Sequence, residues 1–294
     1  MSLRTKIYLF FGATIIFLVA LMFVYVEFLI KPRFKEQTVN NFRVIAEENE
    51  ATYFAFIKGL KAVTLSWSSD NYIKGLVEKI VDKNIPEQSR ADATSAFGVY
   101  LREKKMKYDP SVIMVDILDE NGIVVASSRA SHIGVDEKSE EDKIEAHYFS
   151  KTINADFSET FVRSVVFEED ETTEPMFHIT TRVFSTKVDA RGNFIPLPAV
   201  LLIHFIPLSS SDIFAVGKDD PLASGTFTSK GFTQRFNTSE RYLVNKDHLL
   251  ITPTRTLSME DIIKKTHINT EPIDECFKNN KEVSKEYINY RGIR

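Results

Sequence analysis

The feature that most constrains this chain is a run of 24 residues near its start, Ile7 to Ile30, which contains one charged residue, Glu27. About 20 consecutive apolar residues are enough to cross the hydrocarbon core of a bilayer as a helix. A cleavable signal peptide would have a shorter apolar region and a small-residue cleavage site, whereas this run ends in large residues and continues into Lys31-Pro32-Arg33. The sequence therefore predicts an uncleaved membrane anchor.

Basic residues stand on both sides of the anchor, so the positive-inside rule does not decide its orientation. Arg4 and Lys6 precede it, and Lys31, Arg33 and Lys35 follow it. Orientation has to come from another argument.

The composition of the whole chain is that of a folded protein, with 43% hydrophobic residues, a formal charge of −4 and a pI near 5.9. Lysines and arginines are scattered rather than clustered, which argues against nucleic acid as a partner. The single cysteine, Cys276, can form no disulfide within the chain and has no second sulfur for a thiolate metal site.

Helical spacing of apolar residues continues from Pro32 to about Ser69 and predicts a long helix that follows the anchor directly. Two shorter helices are predicted around Tyr72 to Val81 and Ser89 to Lys105. Asp109-Pro110 then ends the helical region, because the residue before a proline disfavours helical backbone.

From Ser111 the apolar residues alternate, as in strands. VIMVDIL and IVVASS flank Asp119-Glu120-Asn121-Gly122, and Asn-Gly between two such runs predicts a hairpin. A helical segment, Glu137 to Ile153, and three more strands are expected to follow: Thr160 to Phe167, Met176 to Val188, and Leu197 to Leu208. Together they predict a five-stranded antiparallel sheet with a helical insertion after its second strand.

Three carboxylates in this region, Asp116, Asp119 and Glu120, suggest a metal site, an acid/base pair or a solvated turn. The spacing from Asp116 to Gly122 does not match a calcium-binding loop. Asp119 and Glu120 fall in the predicted turn, where short polar side chains bond to local backbone groups. Asp116 is interpreted as a residue on the polar face of its strand.

No other pattern predicts a metal, a cofactor or catalysis. The acidic runs Asp136 to Asp142 and Glu168 to Glu174 lack ligand spacing, and no two histidines are spaced i and i+4. His178 and His204 lie in predicted neighbouring strands, where they could meet as structural residues. Nucleophile-elbow, zinc-protease and phosphate-loop motifs are missing from the sequence.

A Gly-, Ser- and Thr-rich stretch, Gly217 to Thr238, precedes a second unit that partly repeats the first. Its expected elements are a hairpin from Arg241 to Asn245 and Leu249 to Pro253, a helix near Ser258 to Lys265, and a strand from Glu286 to Tyr290. This unit stops before its last strands. A sheet left with open edges is rarely complete, so the chain is expected to be a piece of a longer one.

Four segments carry a resemblance to the double Cache sensor domains of bacterial transmembrane receptors: DENGIVVASSRASHIGVD, HYF at His147 to Phe149, RYLVNKDHLLITPTR, and IDECFKNNKEVSKEYINYRGIR. The resemblance implies an α+β fold in which the transmembrane helix continues into a long stalk helix and carries two PAS-like antiparallel-sheet modules, the second incomplete. The implied divisions are residues 1–31 for the cytoplasmic start and span, 32–106 for the stalk and short helices, 107–217 for the membrane-distal module and 218–294 for the membrane-proximal module.

The resemblance also implies a function. Such domains lie outside the cytoplasmic (inner) membrane and pass ligand occupancy to a cytoplasmic output domain, here expected to be a histidine kinase. A diguanylate cyclase or a chemotaxis receptor is the alternative output, and a membrane-tethered binding or scaffold protein without signalling is the alternative of another class. This segment is expected to be no enzyme, to need no cofactor, and to form a homodimer through its stalk helix.

In the resembled family a small ligand binds between the sheet of the distal module and the helix that covers it. By position the lining residues here are His147, Tyr148, Phe161, Arg163, His178, Thr180 and Arg182. Arg163 and Arg182 suit an anion, because a guanidinium grips carboxylates with two hydrogen bonds.

Amino-acid-binding members of the family have a Tyr and two Asp residues where Phe161, Arg163 and Phe205 stand here. A free amino group would then find no carboxylate partner. The resemblance therefore implies an organic acid or another anion rather than an amino acid.

Overall fold

The computed structural model describes residues 2–139, 148–166, 176–205, 244, 247–250, 266–281, 283 and 287. The contacts between Cα atoms divide the chain into two units, Met1–Tyr53 and Phe54–Arg294.

The first unit is helical. Helix α1 spans Leu3–Tyr25, a π-helical turn spans Val26–Ile30, and helix α2 begins at Lys31 and ends at Ser68 in the second unit. The side chains of α1 are exposed and apolar on every side, as in a helix surrounded by lipid. Among the described residues, one helical stretch, Leu3–Asn41, is long and apolar enough to cross a membrane. These features fit a membrane-anchored protein.

The two shorter helices predicted after the long helix are confirmed. Helix α3 spans Asn71–Val81, and helix α4 spans Glu87–Tyr100 and continues into a π-helical turn at Leu101–Lys105. Asp70 caps α3 by accepting hydrogen bonds from the backbone nitrogens of Tyr72 and Ile73.

The five predicted strands form one antiparallel sheet in the order β2-β1-β5-β4-β3. The strands are β1 (Val112–Leu118), β2 (Val124–Ser127), β3 (Thr160–Val166), β4 (Met176–Val188) and β5 (Phe194–Phe205). β5 begins three residues earlier than predicted, because a tight turn after Val188 pairs that residue with Phe194. The helix-plus-sheet fold agrees with the predicted α+β, PAS-like class.

The predicted hairpin between β1 and β2 is confirmed, and so is the turn position of Asp119 and Glu120. Asp119 Oδ1 accepts hydrogen bonds from the backbone nitrogens of Asn121 and Ile123 at 2.8 and 3.0 Å. Of the Asn-Gly pair only Gly122 adopts a positive φ, +87°. Positive φ is therefore needed at one turn position rather than two.

The sheet is covered on both faces. One face contacts α3 and α4, where Ile73, Val77 and Phe97 are fully buried. The other face contacts a short helix, α5 (Tyr148–Thr152), through a core formed by Leu118, Val124, Tyr148, Phe149, Val200 and Leu202. Polar side chains on this second face are therefore enclosed between the sheet and its cover.

Most of the predicted second unit lies outside the described residues, including the helix at 258–265 and, apart from residue 287, the strand at 286–290. An antiparallel bridge between Val244 and Leu250 agrees with the predicted hairpin there. Helix α6 (Glu271–Asn279) was not predicted, and it ends at Asn280 in the left-handed conformation. The division of the chain at residues 31, 106 and 217 stays a prediction.

Candidate functional site

Strand pairing places four polar residues in one row on the sheet face that α5 covers. Arg163 of β3 pairs with His178 of β4, and His178 pairs with His204 of β5. Asp116 of β1 lies two positions from Met114, the partner of His204, and therefore projects from the same face. We call Arg163, His178, His204 and Asp116 the polar row; each is buried.

Asp116 forms one end of the polar row. Its side chain is fully buried, and Oδ2 accepts hydrogen bonds from His132 Nδ1 and His204 Nε2, each at 2.9 Å. The interpretation of Asp116 as an exposed polar-face residue is therefore wrong. The physical reason is that the sheet is covered on both faces, so no position in the middle of β1 faces solvent.

Two opposing effects act on the Asp116 carboxyl. Burial by itself raises its pKa, but the hydrogen bonds from His132 and His204, with the charges these imidazoles can carry, lower the pKa well below its usual range. The lowering is the net result, so Asp116 is a carboxylate. Its second oxygen, Oδ1, is buried and accepts no hydrogen bond from the described residues.

A second buried carboxylate, Glu137, lies beside the same end. Glu137 Oε1 is 3.7 Å from His132 Nε2, and Glu137 Oε2 accepts a hydrogen bond from the Tyr148 hydroxyl at 2.9 Å. The imidazole of His132 thus stands between the two carboxylates. Glu137 links this end of the row to α5.

Arg163 forms the other end of the row. Its Nη1 donates to His178 Nδ1 at 3.1 Å, and its guanidinium carbon lies 5.2 Å from the centre of the Tyr148 ring. Since a guanidinium only donates, His178 accepts at Nδ1 and is the neutral imidazole with its proton on Nε2. Among the described residues no carboxylate pairs with Arg163, and its buried Nε has no hydrogen-bond partner.

The residues predicted to line the ligand site are thus partly brought together. Tyr148, Arg163 and His178 contact one another at the end of the row. The Thr180 hydroxyl lies 2.6 Å from that of Thr152 in α5, and Phe161, the partner of Thr180 on β3, is half-buried on the same face.

One predicted lining residue, Arg182, stands apart from this group. Arg182 Nε donates to the Leu197 carbonyl at 3.4 Å, and its guanidinium carbon lies 6.0 Å from the Phe184 ring. His147 lies outside the described residues.

The prediction that His178 and His204 meet is confirmed, because their ring centres are 4.3 Å apart in a T-shaped contact. Sequence reasoning missed Asp116, His132 and Glu137 as members of the site. For Asp116 a signal was available. Apolar side chains project from both faces of β1, and a strand with this pattern is buried on both sides. His132 ends a short 3-10 helix and Glu137 begins a helical stretch, and no pattern in the sequence links either residue to β1, so only the fold reveals them.

The arrangement offers two kinds of chemistry. The Arg163 end presents a buried cation and suits an anion. At the other end Asp116, Glu137 and His204 each offer one donor atom, and these atoms lie within 4.8 Å of one another. Such a set of oxygen and nitrogen donors can hold a divalent metal ion.

The polar row and its cover give this α+β domain a charged interior. No family model and no curated protein matches the chain. Among solved structures, the chain is similar to the sensor domain of the V. cholerae histidine kinase DctB, with 13% identity and a TM-score of 0.42. That similarity covers 60% of this chain and 59% of the DctB domain.

Two chemoreceptor domains are also similar. The ligand-binding domain of the Pseudomonas aeruginosa PAO1 amino acid chemoreceptor PctC, in complex with GABA, has 10% identity and a TM-score of 0.44 over 80% of this chain and 87% of its own. That of the Pseudomonas fluorescens chemoreceptor CtaA, in complex with L-serine, has 12% identity and a TM-score of 0.40 over 77% of each chain. At such identities function has to be argued from this chain's own side chains.

Proposed function

We propose that this chain is the extracytoplasmic input module of a transmembrane signal transducer and binds a small organic anion beneath α5. The observation that carries the proposal is Arg163, a buried guanidinium without a carboxylate partner among the described residues. It lies on the sheet face where the resembled family binds its ligands. The N-terminal anchor supplies the connection to the membrane.

A buried unpaired charge is costly, by several kcal/mol per ion even after relaxation. Fold stability alone would favour an apolar residue at position 163. A bound carboxylate would give the guanidinium a partner that the described residues do not supply, and would satisfy Nε as well as a terminal nitrogen in a bidentate pair. The neutral His178 and the Tyr148 ring leave the positive charge of Arg163 available to that ligand.

The ligand class follows from how the site's carboxylates are used. Asp116 already accepts from His132 and His204, and Glu137 accepts from Tyr148. An α-ammonium group would need a carboxylate acceptor, and the unused oxygen found among the described residues, Asp116 Oδ1, belongs to the opposite end of the row from Arg163. An acid without an amino group needs no such acceptor. An organic acid is therefore the first candidate, and amino acids such as those bound by PctC and CtaA are the alternative to be tested beside it.

Signalling would follow from the position of Tyr148. This residue contacts Arg163 through its ring and Glu137 through its hydroxyl, so α5 is attached to both ends of the polar row. A ligand that binds better to one placement of α5 shifts the population towards that placement. We propose that a stalk dimer formed by residues 32–106 carries this shift through the inner membrane to an output domain, with a histidine kinase as first candidate and a diguanylate cyclase or chemotaxis receptor as alternatives.

The ligand proposal is tested by thermal-shift and calorimetric titration of the detergent-solubilised chain. Succinate, malate and citrate form one panel, and glycine, L-serine and GABA form the other. We expect stabilisation by at least one organic acid and its loss in Arg163→Met. The exposed Arg191 gives a matched control, since Arg191→Met should bind as the unchanged chain does. Stabilisation by amino acids alone, or undiminished binding in Arg163→Met, contradicts the proposal.

The alternative without signalling is tested by the reading frame. An in-frame apolar span after Arg294, followed by kinase, cyclase or chemoreceptor sequence, would support the sensor. A stop codon directly after Arg294 would instead favour a tethered binding protein.

A further inference from the structure

The carboxylate end of the polar row lies apart from the proposed anion contact at Arg163 and has its own chemistry. We infer that Asp116, Glu137 and His204 bind one divalent first-row transition-metal ion, such as Zn²⁺, inside the sensor domain. This inference does not rest on the proposed function, because it concerns different side chains and needs no organic ligand.

Convergence of buried donors is the first observation. The three side chains come from β1, from a helical stretch at residues 137–139 and from β5, and each is at least nine-tenths buried. Their donor atoms lie within 4.8 Å of one another. Ligand atoms around a tetrahedral zinc ion are roughly 3.3 Å apart, so the side chains need to close by about 1.5 Å or less.

The second observation is an unused donor atom. Asp116 Oδ1 is buried and accepts no hydrogen bond from the described residues, although the other oxygen of the same carboxylate accepts two. A buried carboxylate oxygen without a donor is costly. A metal ion at this oxygen would remove that cost without breaking the hydrogen bond from His132 to Oδ2.

The third observation is the charge of this cluster. Two buried carboxyl groups lie in one cluster, and Arg163, at the other end of the row, is separated from Asp116 by His178 and His204. A divalent ion is the charge that such a pair of ionised carboxyl groups would bind. His204 would bind through Nε2, the nitrogen that faces Asp116, with its proton on Nδ1.

The donor types select the metal. Imidazole together with carboxylates suits Zn²⁺, Co²⁺, Ni²⁺ or Fe²⁺, whereas Ca²⁺ and Mg²⁺ prefer oxygen donors alone. His132, which donates to Asp116 Oδ2, would act as a positioning residue that orients the carboxylate. Three protein ligands leave a coordination position for water or another small ligand.

Zinc titration of the detergent-solubilised chain tests the site. The chain carries no polyhistidine tag, is stripped with EDTA, and is titrated with ZnCl₂ at pH 7 by calorimetry, with metal content measured by mass spectrometry. We expect one zinc per chain and a melting temperature raised by about 5 to 10 °C at a hundredfold excess over Kd. If the chain binds no stoichiometric zinc, the inference is wrong. That result is expected if protonated histidines, rather than a metal ion, balance the carboxylates.

Variants locate the ion. Asp116→Asn and His204→Gln should lose the zinc-dependent shift, and His132→Gln should weaken zinc binding by about 10- to 100-fold. His248→Gln is the matched control, because His248 contacts Asn269 rather than the polar row. Unchanged affinity in both ligand variants, or loss of binding in the control, would overturn the assignment.

A spectroscopic test on the unchanged chain remains informative if a variant fails to fold. Co²⁺ added to the stripped chain should give the visible absorption of a four-coordinate site with nitrogen and oxygen ligands, and zinc should displace it. Glu137→Gln keeps an oxygen that can accept from Tyr148, and its far-ultraviolet circular dichroism shows whether it folds. A folded Glu137→Gln with undiminished zinc affinity, or cobalt in octahedral coordination only, would contradict the inference.

Discussion

Removal of the Asp116 carboxylate should destabilise the domain strongly. Asp116 joins β1 to β5 through His204 and joins both to the loop at His132, with each hydrogen bond 2.9 Å long. Asp116→Ala leaves two buried imidazole donors without their acceptor. Removing one partner of a buried charged pair costs about 3 to 5 kcal/mol, and the alanine also leaves a small cavity.

That loss should be visible in melting experiments. For a domain of this size 1 kcal/mol corresponds to a change of about 2 to 4 °C in melting temperature. We therefore expect Asp116→Ala to melt about 6 to 20 °C below the unchanged chain, in EDTA at pH 7, by near-ultraviolet circular dichroism. Urea unfolding of the same samples provides the free energy and shows whether the m-value is preserved.

Two further variants separate the charge from the hydrogen bonds. Asp116→Asn retains one oxygen that can accept from both imidazoles, so it should lose less stability than Asp116→Ala. In a double-mutant cycle with His204→Leu the coupling energy should reach about 0.5 to 3 kcal/mol, since the two side chains are in contact. A loss below about 1 kcal/mol in Asp116→Ala, or additive effects in the cycle, would refute the buried network as described.

Two other predictions concern the helices that support the sheet. A Cβ at Gly98 would lie 2.9 Å from the backbone oxygen of Ser127, so Gly98→Ala should cost about 1 to 3 kcal/mol, whereas Gly75→Ala, with open space around it, should be neutral or stabilising in the same urea assay. Burial raises the pKa of Asp70, but its hydrogen bonds with Lys105, Tyr100 and the backbone together outweigh burial and lower the pKa. The ionised Asp70 therefore contributes to stability above about pH 4, and this contribution is lost as the pH falls below that value. Asp70→Asn should flatten the acid side of a plot of melting temperature against pH. Equal slopes for the variant and the unchanged chain would contradict this prediction.

Periodicity predicted the fold well because it reports burial along single elements. The bounds of β4 agree with prediction to the residue, and β1 and β3 agree within one residue. β5 was shortened at its start because Phe194, Ile195 and the residues that follow them are partly exposed. A strand that leaves the core loses the apolar alternation by which it is recognised.

The site was harder to predict because its members meet only through the sheet order. His132 Nδ1 and His204 Nε2 contact the same oxygen of Asp116, although the two histidines are 72 positions apart in the chain. Motif searches at fixed spacing cannot find such a set. The resemblance predicted a common lining for Tyr148, Arg163 and His178 because it carries the sheet order with it, and it left out Asp116 because an exposed strand face was assumed.

The polar row has opposite charges at its two ends and keeps them from neutralising each other. Arg163 donates to a neutral His178, the ring of His178 contacts that of His204, and His204 donates to Asp116. Two imidazoles therefore stand where a direct salt bridge would otherwise form. A fold selected for stability alone would pair these charges or replace them with apolar residues. Their separation beneath one short helix leaves a cation at the β3 side, where the anionic ligand is proposed, and carboxylates at the β1 side, where the metal ion is proposed. Since Tyr148 contacts both ends, α5 is the element whose position either ligand would change.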